Sequence, residues 1–130
     1  AHNRGWIFRS FDYGNVASIS SQGNTQFNGS IVAGGNITAF SDARLKDNIT
    51  KIPDALNKLN QLKGVTYTRK DLATDTQYAG LIAQDVQNVL PEAVLETEGD
   101  NLAVDYNGVI GLLVEAIKEL EAKVAKLEGK

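Results

Sequence analysis

A serine and a lysine five residues apart mark the place where the chain changes character. Ser41 and Lys46 lie between a glycine-rich polar stretch that is almost free of charge and a charged, periodic remainder. A serine hydroxyl is a weak nucleophile until a base takes its proton, and a lysine can be that base when burial or neighbouring charge lowers its pKa. The pair therefore indicates a serine–lysine dyad and a cleavage site at this junction.

The same residues also allow an interpretation without chemistry. Ser41 is a suitable helix cap, and Asp42 with Lys46 has the i,i+4 spacing of a helical ion pair. On a helix, side chains five residues apart point about 140° away from each other. A dyad therefore requires Ser41 in a turn or at a strand end, with only Lys46 on the following element, and spacing alone leaves both interpretations open.

The segments around and after the pair resemble a known family. They are Ser41-Asp42, Arg44, Lys46 and Ile49, then residues 80–87, 90–94 and 104–107, and last a heptad helix. In this order they resemble the self-cleaving C-terminal chaperone domains of phage tailspikes and tail fibres, the S74 peptidase family, and are similar to the domain found in endosialidases. The resemblance covers residues 41–130 and favours the dyad.

The resemblance implies a function for the chain. It predicts a C-terminal intramolecular chaperone that trimerises, registers a bacteriophage tail fibre or tailspike, and is released by autoproteolysis at the Ser41 junction. The domain would be a single-turnover serine endopeptidase. A trimerisation module of the same fold that never cleaves is the alternative, and an unrelated soluble enzyme or linker-borne coiled coil is a third hypothesis.

Within this hypothesis, each residue of the junction has an expected role. Ser41 is the nucleophile and Lys46 the general base. Arg44 or backbone N–H groups would hold the oxyanion, and Asp42 and Asn48 would orient the other groups.

Ring geometry favours one scissile bond. Attack of the Ser41 hydroxyl on the carbonyl of Phe40 is an N-to-O acyl shift that gives an ester, which water then opens. Attack of Ser41 on its own carbonyl requires a strained four-membered ring. A cis reaction therefore cuts the Phe40–Ser41 bond, and the Ser41–Asp42 bond stays open as an option if a serine of a neighbouring chain attacks.

The expected fold is α+β, in an intertwined homotrimer, and residues 1–40 are the strand-rich end of a fibre shaft. These residues hold six of the twelve glycines, and residues 14–40 carry no charge. The pairs Gly23-Asn24 and Gly35-Asn36, twelve residues apart, predict short strands and tight turns. So little apolar surface cannot fold alone, which favours burial against identical chains. A disordered low-complexity linker is the alternative.

Residues 41–130 are the expected chaperone domain, built from helices and β-hairpins. Helical spacing predicts one helix that begins at Thr50 or Asp54 and stops at Gly64, and a second over residues 81–90. Alternating residues predict two hairpins, one that pairs residues 65–69 with 77–81 and one that pairs 94–96 with 102–104.

The last predicted element is a coiled-coil helix over residues 106–128. Its apolar residues follow spacings of four and three, which is a heptad seam: Tyr106, Ile110, Leu113, Ile117, Leu120, Val124 and Leu127. The first half is also apolar at Val109, Leu112 and Val114, so it should pack on the globular body too. Simple seam rules favour parallel dimers, whereas the family resemblance implies a trimer.

Composition excludes several other classes of function. The net charge of −3 argues against a nucleic-acid surface, and no segment has the pattern of a membrane span or signal peptide. There is no cysteine, and His2 is the single imidazole, so no cofactor and no metal site are expected. The resemblance implies assembly in the host cytoplasm, with the parent fibre in the virion tail and the fibre shaft as a partner in cis.

Overall fold

Three short strands near the amino end pair into one antiparallel sheet. In the computed structural model, which describes residues 5–97 and 99–129, they are β1 (Trp6–Ser10), β2 (Gly14–Ile19) and β3 (Thr25–Phe27). Strand β2 lies in the middle and pairs with both neighbours. The short strands expected within residues 1–40 are thus present over residues 6–27, where the chain forms a sheet rather than a disordered linker.

The second half of the glycine-rich stretch has no regular element within this single chain. Residues 28–42, all of which the structure describes, contain no helix and no strand. The Gly23-Asn24 pair leads into β3, whereas no strand follows Gly35-Asn36. A strand needs a hydrogen-bonding neighbour, and the chain supplies none there. The side chains of Ile31, Ile37 and Phe40 are exposed.

Packing divides the chain into two compact units, one that ends at Asp47 and one that begins at Asn48. The second unit contains α1 (Ala55–Asn60), β4 (Val65–Tyr67), β5 (Tyr78–Gly80), α2 (Ala83–Val89), β6 (Val94–Glu96), β7 (Leu102–Val104) and α3 (Tyr106–Leu127). Strands β4 and β5 form one antiparallel hairpin, and β6 and β7 form another. The α+β class, both hairpins and all three helices agree with the sequence, although α1, α2, β4 and β5 are shorter than predicted. The functional limits 1–40 and 41–130 stay a prediction.

The core of the second unit lies where α1, α2 and α3 meet. Its buried side chains are all apolar: Ala55, Val86, Val89, Leu90, Ala93, Val109, Leu112 and Ala116. Helix α3 begins at the N-cap Asp105, whose Oδ1 accepts the N–H of Asn107 at 3.1 Å. The cap fixes the first turn of α3 so that its inward residues reach the core.

The two sides of α3 differ in their surroundings. Val109, Leu112 and Ala116 are buried in the core. The wide apolar first half of the helix predicted this for Val109 and Leu112, but Val114, expected to pack with them, is 49% exposed. All seven seam residues remain exposed, from 39% for Leu113 to 88% for Leu127. The chain by itself therefore leaves the heptad seam uncovered.

Leu112 tests the core assignment. Its side chain is fully buried, so Leu112→Ala should lower the free energy of unfolding by about 2–5 kcal/mol. Chemical denaturation followed by circular dichroism measures this loss. The matched control is Leu95→Ala at a side chain that is 61% exposed, where we expect a change within about 0.5 kcal/mol. Equal losses in the two variants would contradict the described core.

Candidate functional site

Ser41 and Lys46 stand on either side of a single 3₁₀ turn, Ala43–Leu45. Asp42 and Lys46 flank the turn and both have extended backbone angles. Two backbone bonds close it: the N–H of Leu45 donates to the carbonyl of Asp42 at 3.0 Å, and the N–H of Lys46 donates to that of Ala43 at 3.1 Å. The extended chain thus turns sharply within three residues.

The turn brings the two predicted dyad side chains together. Lys46 Nζ lies 2.7 Å from Ser41 Oγ and donates a hydrogen bond to it. This is within the reach that proton transfer needs, and a neutral amine in the same place would accept the hydroxyl proton. Neither residue is on a helix, so the 140° separation that a helix would impose does not apply.

Asp42 holds the turn through Arg44. Its Oδ1 accepts the backbone N–H of Arg44 at 2.9 Å, so Asp42 rather than Ser41 is the capping residue. Its two oxygens also accept from Arg44 Nε and Nη2, the latter at 2.6 Å. The predicted i,i+4 ion pair of Asp42 with Lys46 is therefore not formed. Asp42 pairs instead with Arg44, two residues further along the chain. The Arg44 guanidinium holds the pKa of Asp42 below its usual value, and Asp42 raises the pKa of Arg44.

The predicted oxyanion donors are partly engaged in the single chain. The backbone N–H groups of Arg44, Leu45 and Lys46 all donate within the turn. The Arg44 guanidinium has five N–H donors, and its Nε and one Nη2 donor face Asp42. The side chain of Arg44 is 87% exposed, so its other donors point to solvent.

The two remaining predicted residues contribute differently. Asn48 has φ = 53°, a left-handed backbone that asparagine tolerates better than most residues, so its visible contribution is to the course of the chain after Lys46. Phe40, which precedes the favoured scissile bond, is 97% exposed. Ser41 and Lys46 are exposed as well.

The sequence of the whole segment decides the family. The family described as "Chaperone of endosialidase" matches residues 41–95. The match begins at Ser41, the residue that Lys46 contacts across the 3₁₀ turn.

This segment belongs to the chaperone-of-endosialidase family.

Three relatives are similar in sequence to most of this chain. The long tail fiber protein Gp37 of Enterobacteria phage K3 is 45% identical over 103 residues, which are 73% of this chain and 8% of that protein. Gp37 of Enterobacteria phage M1 is 32% identical over 126 residues, 91% of this chain and 47% of that protein. Myelin regulatory factor homolog 1 of Caenorhabditis elegans is 35% identical over 112 residues, 78% of this chain and 12% of that protein. The chain thus spans less than half the length of each of these relatives.

These matches support the assignment of the chain to the chaperone domains of phage fibres. Among residues 5–97 and 99–129, no group of three or more His, Cys, Asp or Glu side chains is placed to hold a metal ion. In that same part of the chain, no helix is long and apolar enough to cross a bilayer. His2 lies outside the described residues.

Three residues of α3 make polar contacts that the sequence analysis did not predict. The Tyr106 hydroxyl accepts the N–H of Leu81 at 3.1 Å, and a Cβ on Gly80 would come within 2.5 Å of that hydroxyl. Glu115 and Glu119, which the heptad pattern places off the seam, bind residues of the segment before and within α1. Their spacing of four residues on one helix face was the available signal, but it does not name their partners.

The Asp42–Arg44 pair gives a prediction at the turn itself. Arg44→Gln should raise the pKa of Asp42 toward its usual value, because the guanidinium is the main cause of the lowering. A carbon-13 titration of the Asp42 carboxyl measures it. Since the pKa is lowered in the folded state, the contribution of the pair to stability is present above the unfolded pKa and is lost as the pH falls through the folded one.

The control for that titration is Arg69→Gln. Arg69 also pairs with an aspartate two positions along the chain, Asp71. Loss of the Arg69 guanidinium should therefore leave the titration of Asp42 unchanged. An Asp42 that titrates alike in the wild type and in Arg44→Gln would contradict the described turn.

Proposed function

We propose that this chain is an intramolecular chaperone that assembles as a homotrimer, holds the chains of a fibre shaft in register, and separates from the shaft by self-cleavage at Ser41. The observation that carries the proposal is the 2.7 Å contact of Lys46 Nζ with Ser41 Oγ at the first residue of the segment that matches the family. The parent protein would be a tail fibre or tailspike of the virion tail, assembled in the host cytoplasm.

The exposed seam of α3 supports assembly with identical chains. Seven side chains at heptad spacing, including Ile117 at 64% exposure, remain exposed in the single chain, and of these Tyr106 also binds its own unit through Leu81. Burial of such a side chain contributes roughly 1.5–3 kcal/mol, and a continuous heptad seam is the pattern that copies of one helix bury against each other. Three copies suit a shaft of three interwound chains.

A trimer formed first would help the shaft to fold. Pairing of strands from different chains is slow, and exposed strand edges invite pairing with the wrong partner. Three chaperone domains held together raise the effective concentration of the attached chain ends. The exposed apolar residues of the stretch before Ser41, such as Ile31 and Ile37, would then be buried between chains in register.

The chemistry can be written for each atom of the junction. Lys46, as the neutral amine, takes the proton of Ser41 Oγ, and Oγ attacks the carbonyl carbon of Phe40. The bond between that carbon and the nitrogen of Ser41 breaks, the nitrogen takes the proton back from the Lys46 ammonium, and Phe40 is left as an ester of Ser41. Water then hydrolyses the ester, which frees the carboxylate of Phe40 and restores the hydroxyl of Ser41.

Assembly would also switch the chemistry on. A lysine acts as a base when it is desolvated, whereas Ser41 and Lys46 are both exposed in the single chain. Neighbouring chains would supply the burial and the water exclusion. Cleavage would then follow assembly, and the released shaft would be kinetically trapped because its template is gone.

Variants of the dyad test the cleavage. The wild-type chain should separate into a piece that ends at Phe40 and a piece that begins with Ser41, as seen by intact-mass spectrometry over time. Ser41→Ala should abolish the cut because the nucleophile is gone, and Lys46→Arg should slow it by at least about 100-fold because a guanidinium stays protonated.

Lys63→Arg is the matched control for Lys46→Arg. It makes the same exchange at an exposed lysine outside the turn and outside residues 51–56, so its rate should stay near that of the wild type. A cut at the same bond in Ser41→Ala would rule out Ser41 as the nucleophile. An uncut wild-type chain that still forms trimers would instead favour the non-cleaving trimerisation module.

Variants of the seam test the assembly. In a Ser41→Ala background, sedimentation should give three times the 14.0 kDa of the chain. Ile117→Asp with Leu120→Asp should release monomers, because charge at the seam cannot be buried without a partner. Glu121→Asp with Lys123→Asp places the same side chain twice on exposed positions off the seam and should keep the trimer. A chain that sediments as a monomer at every concentration would contradict the proposed assembly.

A further inference from the structure

Helix α1 begins without a cap from its own segment. Asp54 occupies the N-cap position with a left-handed backbone, φ = 52°, and forms no capping bond with its side chain. Its carboxylate accepts instead from Asn57 Nδ2 at 2.8 Å. The first backbone N–H groups of a helix need acceptors from elsewhere when no local cap is present.

Glu119 of α3 supplies those acceptors. Its Oε1 accepts the N–H of Ala55 at 2.9 Å and its Oε2 accepts the N–H of Leu56 at 2.8 Å. These residues are more than 60 positions away in sequence, so the cap joins distant parts of the chain. The two backbone bonds, that of Leu56 first, hold the pKa of Glu119 below its usual value, as expected for a carboxylate that accepts two N–H groups.

Two further contacts attach the residues just before α1 to the same helix. Glu115, one turn before Glu119, lies 3.2 Å from Lys51 Nζ through its Oε2, and its side chain is only 16% exposed. One more turn back, Ile52 lies next to Gly111, with its Cδ1 3.4 Å from where a Cβ on that glycine would stand. We call the contacts of Gly111, Glu115 and Glu119 with residues 51–56 the α3 clasp.

The α3 clasp and the heptad seam occupy opposite sides of one helix. At about 100° per residue, positions 111, 115 and 119 centre on the face that points away from Ile110, Leu113 and Ile117. A helix fixed by its seam in an assembly is therefore free to hold its own chain on the other side. Residues 51–56 that it holds begin only five positions after Lys46.

We propose that Glu119 is a positioning residue for self-cleavage: through the α3 clasp it ties the chain that leaves the Ser41 turn to the helix that carries the seam. Assembly of α3 would thereby restrain residues 48–50, through which the chain leaves the Ser41 turn. The inference rests on the proposed function, because it assigns a means by which assembly controls the same dyad.

The cleavage test uses the full chain and compares equal charge changes on one helix. In the isolated trimer fraction, Glu119→Ala should slow cleavage by about tenfold or more, since both acceptors are lost. Glu119→Gln keeps one acceptor oxygen and should restore part of the rate. Glu121→Ala removes the same carboxylate from an exposed position and should stay within about twofold of the wild type. A wild-type rate in assembled Glu119→Ala would overturn the inference.

A second measurement tests the positioning role of the α3 clasp in a chain that is not cleaved. In Ser41→Ala trimers, hydrogen exchange of residues 42–50 should speed up by about tenfold on Glu119→Ala, and not on Glu121→Ala. If Glu119→Ala does not assemble, Glu119→Gln takes its place in the same comparison. Unchanged exchange over residues 42–50 in the assembled variant overturns the positioning role whatever the cleavage rate. A wild-type chain that is never cut defeats the proposed function instead, and the exchange result still stands for the clasp.

Discussion

Helix α3 carries more apolar surface than its own chain can cover, and the other features of the second unit depend on how that surface is divided. One side of the helix closes a small core around Leu112 and Ala116, and the seam side stays exposed. Small domains bury a limited share of their surface. Seven exposed apolar side chains along one helix are therefore a large part of the apolar surface that this unit leaves in water. Burial between copies is the simplest way to remove it from water, and it would make the folded state inseparable from assembly.

The turn between Ser41 and Lys46 differs from the seam, because the hydrogen bonds that form it join neighbouring residues of one chain. Asp42 and Arg44 hold the 3₁₀ turn, and the hydrogen bonds that bring Lys46 to Ser41 in the single chain lie within residues 41–46. Both side chains are exposed in the single chain, and in the proposed mechanism assembly supplies the dry environment in which a lysine acts as a base. Local geometry and non-local burial are thus separate requirements, and a chain that meets only the first before assembly would not cut itself too early.

The sequence predicted the elements whose signals are periodic. Heptad spacing located α3, and alternation located both hairpins, because these patterns reflect which face is buried. The Ser41–Lys46 contact was also expected, but the helical alternative for the same residues was wrong: Asp42, not Ser41, caps the turn. The cap that Glu119 provides for α1 joins residues more than 60 positions apart, and no local pattern encodes such a partner. The strand expected after Gly35-Asn36 needs a neighbour that one chain does not have.

The central claim is that assembly creates a competent dyad from a turn that already has the right distances. The most direct measurement is the cleavage rate per chain over a series of protein concentrations, with the trimer fraction determined in the same samples. We expect the rate to rise in proportion to the trimer fraction and to vanish where monomers predominate. A rate per chain that stays constant while the trimer fraction changes would show that Ser41 and Lys46 act within the single chain, and it would contradict the account.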